Sequence, residues 1–400
     1  MNYRNVRQDF PLLRDNKIIY FDSACQSLRP QVVIDKLVEY YTDYPACGGR
    51  SMHRLATRVT TEVDKAREEV ANFFNAKKKK EIIFTRNSTE GINLIAYSLG
   101  FSSGDVVVTS DKEHNSNLIP WQVLVKKAGV KHFIIPSLED NTFNLSAYEN
   151  VLKEHKVRLV SVAHTSNLDG VTNPIEQIIR LAHRNKAKVL IDAAQSAPHQ
   201  KIDVQKIDAD FLVCSGHKML GPSGTGILYG KQKLLESLQP FLVGGDTVIN
   251  TTYESHKFLP IPEKFEAGLQ DYAGIIGLGE ALKYLHKFGM GEIAKKIEGL
   301  NAYLTDKLTE IPQIKIVGPH QAKLRGGIVS FYVEGIGAHQ IALLLSEQNI
   351  MVRSGQHCVH SWFNTHHLRG TVRVSFYFYN TIEEINIFLE KLKRVLEILS

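Results

Sequence analysis

The sequence predicts an α/β protein with a large domain on a mostly parallel sheet and a smaller α+β domain at its C-terminal end. The 400 residues exceed what one ordinary hydrophobic core organises. Strand-like and helix-like segments alternate through the first two-thirds, and several strand-like segments are continuously apolar, as strands covered on both faces are. The last third instead begins on a long amphipathic helix. We place the large domain at residues 16–288 and the smaller one at 289–400, and we assign residues 1–15 to the smaller domain.

The strand candidates of the first two-thirds are short apolar segments: Ile18–Phe21, Glu81–Phe84, Val106–Thr109, His132–Pro136, Val157–Ala163, Ala187–Ile191, Phe211–Cys214 and Gly226–Tyr229. Helical spacing of apolar residues lies between them. The last third offers strand-like pieces at Gly327–Val333, Ile350–Arg353 and Val372–Tyr377, and closes on a helix. Ligands of parallel α/β sheets gather outside the carboxyl ends of the strands, so the residues after each strand are the candidates for function.

Composition and charge exclude several classes of protein. The net charge of +6 is modest, and the run Lys77-Lys78-Lys79-Lys80 is typical of a solvated turn, so nucleic-acid binding is not expected. No apolar run reaches the ~18 residues of a membrane span, and the N-terminus is polar. We therefore expect a cytoplasmic protein.

The four cysteines, Cys25, Cys47, Cys214 and Cys358, lie far apart, and no Cys-x-x-Cys pair exists. This spacing predicts neither a zinc or iron–sulfur site nor, in a reducing cytosol, a disulfide framework. We interpret Cys25, Cys47 and Cys214 as structural residues within strands or helices. No metal is expected.

Polar residues follow several of the predicted strands. Ser88 and Thr89 begin a helix after Glu81–Phe84, where free backbone N–H groups and hydroxyls suit a phosphate, although an ordinary helix cap explains them as well. His114 and Asn167 also follow strands, and taken singly both are ambiguous between structural and functional roles.

A carboxylate and a lysine follow two further strands. Asp192 ends a buried strand, which is costly unless the carboxylate caps the next helix or meets a cation, such as the protonated ring nitrogen of pyridoxal phosphate. Lys218 lies in Cys214-Ser215-Gly216-His217-Lys218, before a glycine-rich turn. It is either a surface lysine or a Schiff-base lysine of lowered pKa, with Ser215 and His217 in reach of a phosphate. Together these residues favour a pyridoxal phosphate site.

In this order of residues the chain resembles the class V aminotransferase family of fold-type I pyridoxal phosphate enzymes. The best-matched stretches are Phe84–Ala96, Glu113–Gln122, Val189–His199, Ser215–Lys231 and Gly370–Thr381. Within the family the sequence is most similar to the group II cysteine desulfurases, which include selenocysteine lyases.

The resemblance implies a role for each candidate. Lys218 would hold the cofactor as a Schiff base, and Asp192 would meet its pyridine nitrogen. Gln195 and Asn167 would lie near the phenolic oxygen, and His114 would stack on the ring and take part in catalysis. The remaining cofactor ligands would be the phosphate-binding residues Ser88, Thr89, Ser215 and His217. The substrate would meet Arg373, Arg353 and Arg50, because a guanidinium suits a carboxylate.

The segment Arg353-Ser354-Gly355-Gln356-His357-Cys358 resembles the Arg-x-Gly-His-His-Cys motif of group II enzymes, with Gln356 in place of the first His. Cys358 is thereby implied as a nucleophile that carries a persulfide. The implied function is conversion of L-cysteine to L-alanine, with sulfur delivered from Cys358 to a protein acceptor, for example in iron–sulfur cluster assembly. A homodimer is also implied.

Three departures from the family pattern bear on the substrate. Leu269 replaces a phosphate-binding Thr, Gly49 stands in Gly48-Gly49-Arg50 where the family has Val-His-Arg, and the segment after Cys358 differs. A selenocysteine lyase, a cystine lyase or an aminotransferase therefore remain alternatives. An alternative of another class is a non-catalytic sulfur-transfer scaffold, against which the intact Lys218, Asp192 and Arg373 argue.

Overall fold

The computed structural model describes residues 6–399. Its helices are Gln31–Asp43 (α1), Arg54–Phe73 (α2), Ser88–Ser98 (α3), Asn115–Ala128 (α4), Leu145–Glu154 (α5), Ile175–Arg184 (α6), Gln232–Ser237 (α7), Tyr272–Phe288 (α8), Met290–Thr309 (α9), Ala338–Ser346 (α10), His360–Thr365 (α11) and Ile382–Leu399 (α12). Short 3₁₀ turns lie at Val6–Asp9, Pro11–Leu13, Lys79–Glu81, Gly216–Lys218, Glu263–Phe265 and Ala322–Leu324. No helix within 6–399 is long and apolar enough to cross a membrane.

The strands are Ile19–Tyr20 (β1), Ile82–Thr85 (β2), Val106–Ser110 (β3), Lys131–Ile135 (β4), Val157–Ala163 (β5), Lys188–Asp192 (β6), Phe211–Ser215 (β7), Gly226–Gly230 (β8), Val248–Thr251 (β9), His256–Phe258 (β10), Ile314–Val317 (β11), Ile328–Val333 (β12), Ile350–Met351 (β13), Arg353–Gly355 (β14) and Thr371–Ser375 (β15). Each strand predicted in the first two-thirds is present to within a few residues. The prediction missed β9, β10 and β11, which are short, and two of them are largely exposed.

The large sheet has the strand order β2-β8-β7-β6-β5-β3-β4. The neighbours from β7 to β4 pair in parallel, and β8 runs antiparallel to both β2 and β7. This confirms the predicted α/β fold with a mostly parallel sheet. The carboxyl ends of β2, β3, β5, β6 and β7 therefore open at one edge of the sheet.

Alternate residues of the central strands enter two different cores. Val106 and Val108 of β3 pack into one apolar cluster, whereas Val107 packs into another. In β7 the same alternation separates Leu212 from Val213. Because side chains alternate across a strand, both faces of the sheet are covered, which explains why these strands are continuously apolar in sequence.

A second, antiparallel sheet of order β11-β12-β15-β14 lies in the C-terminal third. Its core takes apolar residues from α9, α10 and α12. The predicted strand Ile18–Phe21 belongs here and not with the large sheet, because β1 pairs in parallel with β13, and Ile19 and Phe21 pack in this core.

The domain boundary at residues 288/289 stays a prediction. Phe10 and Leu13, assigned by sequence to the smaller domain, pack in a core of the large sheet, as do Ile293 and Ile297 of α9. Residues 1–5, assigned with them, lie outside the described residues. The two sheets are thus joined by segments that pack on the large sheet's core.

A buried ion pair ties the loop after β3 to the loop after β5. Lys112 Nζ lies 2.8 Å from Asp169 Oδ2, and both side chains are almost fully buried. Asp169 also accepts the Val171 N–H at 3.0 Å. Since Asn167 lies two residues before Asp169, this pair helps to position the loop that carries a candidate site residue.

Replacing Asp169 with alanine is expected to lower the free energy of unfolding by about 3–5 kcal/mol, because Lys112 would keep an uncompensated buried charge. Urea denaturation measures this. Glu176→Ala is the matched control: Lys206 Nζ lies 3.2 Å from Glu176 Oε1, both side chains are exposed, and the loss should stay under about 1 kcal/mol. Equal losses in the two variants would contradict the account.

Candidate active site

The site lies at the edge of the large sheet where the parallel strands end. A cavity of about 260 Å³ opens there. The sequence-predicted residues that line it are Ser88, Thr89, His114, Asn167, Asp192, Gln195, Ser215, His217, Lys218, Arg353, Cys358 and Arg373. The structure therefore brings together residues that are spread over 285 positions of the chain (373 − 88).

One corner of the cavity is the N-terminus of α3. The Ser88 N–H donates to Ser215 Oγ at 3.0 Å, and the two hydroxyls lie 2.8 Å apart. Thr89 Oγ1 lies 2.7 Å from Ser116 Oγ. Asn87 is the helix cap, since its side chain accepts the Glu90 N–H. The cap is therefore not Ser88 or Thr89, and a helix N-terminus beside four hydroxyls suits an anion.

Gly226, the first residue of β8, lets the backbone approach this corner closely. A Cβ at Gly226 would lie 2.5 Å from the Asn87 Cα and 2.7 Å from its backbone nitrogen. A larger residue would therefore push the N-terminus of α3 away from Ser215. The glycine-rich turn after Lys218 thus allows the close packing that forms the corner predicted to bind phosphate.

His114 caps α4 and is held neutral. Its Nδ1 accepts the Ser116 N–H at 3.1 Å. Burial lowers the pKa of His114 to about 3, with further lowering by Lys218 and Arg373. At neutral pH the ring is therefore an uncharged imidazole whose proton is on Nε2, and such a ring can stack on a planar ligand.

Asp192 and Lys218 face each other from the ends of β6 and β7. Asp192 Oδ1 accepts the Ala194 N–H at 3.0 Å, and burial raises the pKa of this carboxyl. Burial also lowers the pKa of Lys218, while the charge of Asp192 opposes that change. A buried carboxylate needs a cation or donors, and a desolvated lysine is more readily neutral and nucleophilic.

Asn167 and Gln195 connect the cavity wall to other parts of the chain. Asn167 Nδ2 donates to the His357 carbonyl at 2.6 Å, and the backbone carbonyl of Asn167 accepts from Arg373 Nη1 at 2.9 Å. Gln195 Nε2 donates to the Ala24 carbonyl at 2.8 Å. Both amides thus hold neighbouring segments in place beside the cavity.

Two arginines stand opposite each other across β14 and β15. The register pairs Arg353 directly with Arg373, which puts both side chains on one face of the sheet. Asp22 lies between them: its Oδ1 is 3.3 Å from Arg373 Nη2, and its Oδ2 is 3.8 Å from Arg353 Nη1. One carboxylate facing two guanidiniums leaves the pair with net positive charge, which suits a carboxylate ligand.

Cys358 lies in a turn whose backbone is pinned at two carbonyls. The Cys358 carbonyl accepts the Asn115 N–H at 2.8 Å, and the His357 carbonyl accepts from Asn167. His357 and Cys358 both adopt positive φ values, 48° and 59°. Non-glycine residues rarely keep this conformation unless their surroundings impose it. The Cys358 thiol thus lies at the cavity on a turn whose backbone is fixed by hydrogen bonds.

His357 does not supply a positive charge to Cys358. Burial lowers its pKa to about 2, and its Nε2 lies 2.8 Å from Thr371 Oγ1. His360 Nδ1 lies 2.9 Å from Asn115 Nδ2. Arg353 Nη1 donates to Cys25 Sγ at 2.9 Å.

The interpretation of the other three cysteines needs correction. Cys25 lines the cavity and lies in a turn, and Cys47 is exposed outside any helix or strand, so neither is a structural residue of a regular element. Cys214 is buried within β7, in agreement with the prediction. Cys25 and Asp22 follow a two-residue strand, which carries too weak a pattern to show where the turn would fold.

Arg50 does not line the cavity within this chain. Its Nη2 donates to the Val248 carbonyl at 2.7 Å, and its guanidinium lies 3.7 Å from Asp246 Oδ1. It lines a separate cavity that also includes Gly268, next to the exposed Leu269. Arg50 as a substrate ligand therefore stays a prediction.

The residues present fit pyridoxal phosphate. Asp192 is a buried carboxylate that accepts the Ala194 N–H and faces Lys218. The α3 corner offers hydroxyls and helix N–H groups, with Ser88 beside Ser215 although the two are 127 positions apart in the sequence. Lys218 and the neutral His114 line the cavity with them. A protonated ring nitrogen, a phosphate and an aldehyde would each meet the group that suits it.

The chain is similar to known proteins over nearly its whole length. The model of the class V aminotransferase family matches residues 19–388. A probable cysteine desulfurase of Synechocystis sp. is 41% identical, over 99% of this chain and 96% of the relative. The solved apo cysteine desulfurase of Thermococcus onnurineus NA1 is 38% identical over 98% of both chains, with a TM-score of 0.95. A cysteine desulfurase of Escherichia coli, solved in an S-sulfonic acid form, is 31% identical over the full length of both chains, with a TM-score of 0.91.

These matches span nearly the whole chain and confirm the resemblance drawn from the residues after the strands. The chain belongs to the class V aminotransferase family, among relatives named as cysteine desulfurases.

Proposed function

We propose that the protein is a pyridoxal phosphate-dependent cysteine desulfurase that converts L-cysteine to L-alanine and keeps the sulfur on Cys358. The observation that carries this proposal is one cavity that holds Lys218 with Asp192, the paired Arg353 and Arg373, and the Cys358 turn. Relatives 35–41% identical over almost their whole length are named probable cysteine desulfurases, which supports the same activity.

The cofactor would be held by the residues already described. Ser88, Thr89, Ser215 and His217 would bind its phosphate, Asp192 its ring nitrogen, and Lys218 its aldehyde carbon. Gln195 and Asn167 would lie beside its phenolic oxygen. When bound, pyridoxal phosphate withdraws electrons from the substrate Cα. The chain's contribution is to position the substrate, to move protons and to take the sulfur.

The substrate carboxylate would bind to Arg373 and Arg353. Arg373 is fixed by its hydrogen bond to the Asn167 carbonyl and by Asp22, and its side chain is almost fully buried. A fixed guanidinium orients a carboxylate through two parallel hydrogen bonds. The amino acid is thereby held with its Cα towards Lys218.

Lys218 would move the Cα proton. Burial lowers its pKa, so at neutral pH a larger fraction of the side chain is a free amine than for an exposed lysine. The neutral His114 adds no positive charge that would compete for this role. Proton transfer at the substrate carbon is thus assigned to Lys218 Nζ.

Cys358 would take the sulfur. The Cys358 thiolate attacks the substrate sulfur and forms a new S–S bond. The substrate C–S bond breaks, and the electron pair of that bond stays with carbon. The carbon then gains a proton to give alanine. The pinned carbonyls of His357 and Cys358 hold the turn for this attack. The product on the enzyme is a persulfide at Cys358.

A substrate panel tests the proposal. The cofactor-loaded protein is given L-cysteine, L-selenocysteine, cysteine sulfinate and cystine, and alanine, sulfide and persulfide are measured. We expect alanine from L-cysteine in equal amount to the sulfur released or retained. Alanine from selenocysteine alone would identify a selenocysteine lyase, and amino-group transfer to a keto acid without alanine would identify an aminotransferase.

We also propose a homodimer. An exposed apolar surface surrounds the β9–β10 hairpin, with Met52, Leu242, Val243, Ile249, Tyr253 and Leu269 among its residues. Exposed apolar patches of this kind mark interaction sites, and a second copy would cover this one. Light scattering should give twice the mass of one chain. A protein sulfur acceptor, a role in iron–sulfur cluster assembly and a cytoplasmic location stay predictions.

A further inference from the structure

A second thiol opens into the cavity of Cys358. Cys25 lies in the turn after β1, where its N–H donates to the Asp22 carbonyl at 3.0 Å. Its Sγ accepts from Arg353 Nη1 at 2.9 Å. Cys25 and Cys358 both line the cavity of about 260 Å³. Two of the four free cysteines of the chain therefore line the same cavity.

Two guanidinium groups lie at the cavity that both thiols line. Arg353 contacts Cys25, and Arg373, which is 2% exposed, lines the same cavity with a buried Nε that has no hydrogen-bond partner. Burial lowers the pKa of Lys218 most strongly, whereas charge on Asp192, Cys25 or Cys358 raises it. Both thiols thus line a cavity that also contains Lys218, Arg353 and Arg373.

Resting on the proposed function, we propose that Cys25 is a second sulfur-carrying residue, which takes the terminal sulfur from the persulfide on Cys358. The Cys25 thiolate attacks that terminal sulfur. The S–S bond to Cys358 breaks, and its electron pair leaves with Cys358 Sγ. The proton lost by the Cys25 thiol goes to the Cys358 thiolate. One S–S bond replaces another, so no oxidant or reductant is consumed.

The transfer frees Cys358 for another substrate molecule. The Arg353 guanidinium stabilises the anionic sulfur on Cys25, because a hydrogen bond from a charged donor is stronger than one from a neutral donor. Without an acceptor, each active site would then store sulfur on both thiols. The expected alanine burst is about two equivalents per active site, one for each thiol.

The test uses the cofactor-loaded full chain, given L-cysteine without reductant or sulfur acceptor and then quenched. Alanine per active site is counted, and alkylated peptides are mapped by mass spectrometry for the extra sulfur. The wild type should give the larger burst, with sulfur on Cys358 and on Cys25. Cys25→Ala and Cys25→Ser should give half of that burst, with sulfur on Cys358.

Two further variants complete the test. Cys47→Ala removes an exposed thiol that does not line the cavity, and should match the wild type. Cys358→Ala should give no alanine burst and no enzyme-bound sulfur. Sulfur on Cys25 in that variant would overturn the relay order, because Cys25 would then take sulfur directly from the substrate.

Wild-type sulfur confined to Cys358, with a burst of one equivalent, would overturn the inference and leave the proposed function intact. Absence of alanine from L-cysteine would overturn both. The wild-type map needs no variant, so the inference stays testable even where a substitution at Cys25 impairs folding.

Discussion

Replacing Lys218 with alanine is expected to remove the visible absorbance of covalently attached pyridoxal phosphate. It is also expected to lower turnover of L-cysteine by at least about 10³-fold. The variant loses the only amine that the structure places beside Asp192 within the cavity lined by described residues. No other described residue that lines the cavity carries a primary amine that can form the covalent bond to the cofactor. Absorbance spectra and alanine assays measure the two losses separately.

The fold should survive this substitution. A charged Lys218 is costly in the cavity, because burial lowers its pKa. Burial also raises the pKa of Asp192, so the carboxyl that the substitution leaves behind can take up a proton. Circular dichroism should therefore match the wild type. Lys80→Ala removes a half-buried lysine that does not line the cavity and serves as control, with absorbance and turnover unchanged. A Lys218→Ala protein that kept wild-type absorbance would show that another lysine holds the cofactor.

Replacing Cys358 with alanine is expected to leave the cofactor absorbance intact and to lower desulfuration of L-cysteine by at least about 10²-fold. The thiol lies on the turn between β14 and α11, whereas the cofactor corner is formed by α3, β6 and β7. The two functions are thus carried by different parts of the chain, and the variant separates them. Cys47→Ala is the matched control and should retain full activity.

Comparison of substrates sharpens this result. Selenocysteine cleavage depends less on a nucleophilic thiol, so Cys358→Ala should retain more activity on selenocysteine than on cysteine. If Cys358→Ala released sulfide from L-cysteine at the wild-type rate, the assignment of the persulfide to Cys358 would be wrong.

The part of the site that the sequence predicts follows from strand order. Because parallel strands end at one edge of a sheet, residues after β2, β6 and β7 had to lie close together, and Ser88, Asp192 and Lys218 do. The continuously apolar strands also predicted the two-sided core. Local pattern was sufficient for these features.

Other features depend on contacts between distant segments. Cys25 reaches the cavity because Asp22, three residues before it, bridges to Ser375, which no local sequence pattern predicts. The pairing of Arg353 with Arg373 is set by the register of β14 and β15, which the residue types alone do not specify. The pairing of β1 with β13 was missed for the same reason, since two residues carry no detectable period.

The departures from the family pattern are placed by the fold in two regions. Gln356 precedes the pinned turn of His357 and Cys358, next to the substrate arginines. Gly49 and Leu269 lie instead with Arg50 by the exposed apolar surface around the β9–β10 hairpin. Substrate preference is therefore expected to respond to Gln356 first, and assembly to Leu269.

The most direct test of the central claim is a single incubation of the cofactor-loaded protein with L-cysteine, followed by quantification of alanine and mapping of bound sulfur. We expect alanine together with an equal amount of sulfur, recovered as persulfide on the enzyme. Cys358 should be the first cysteine to carry it. Pyruvate and ammonia in place of alanine, or alanine without any enzyme-bound sulfur, would contradict it.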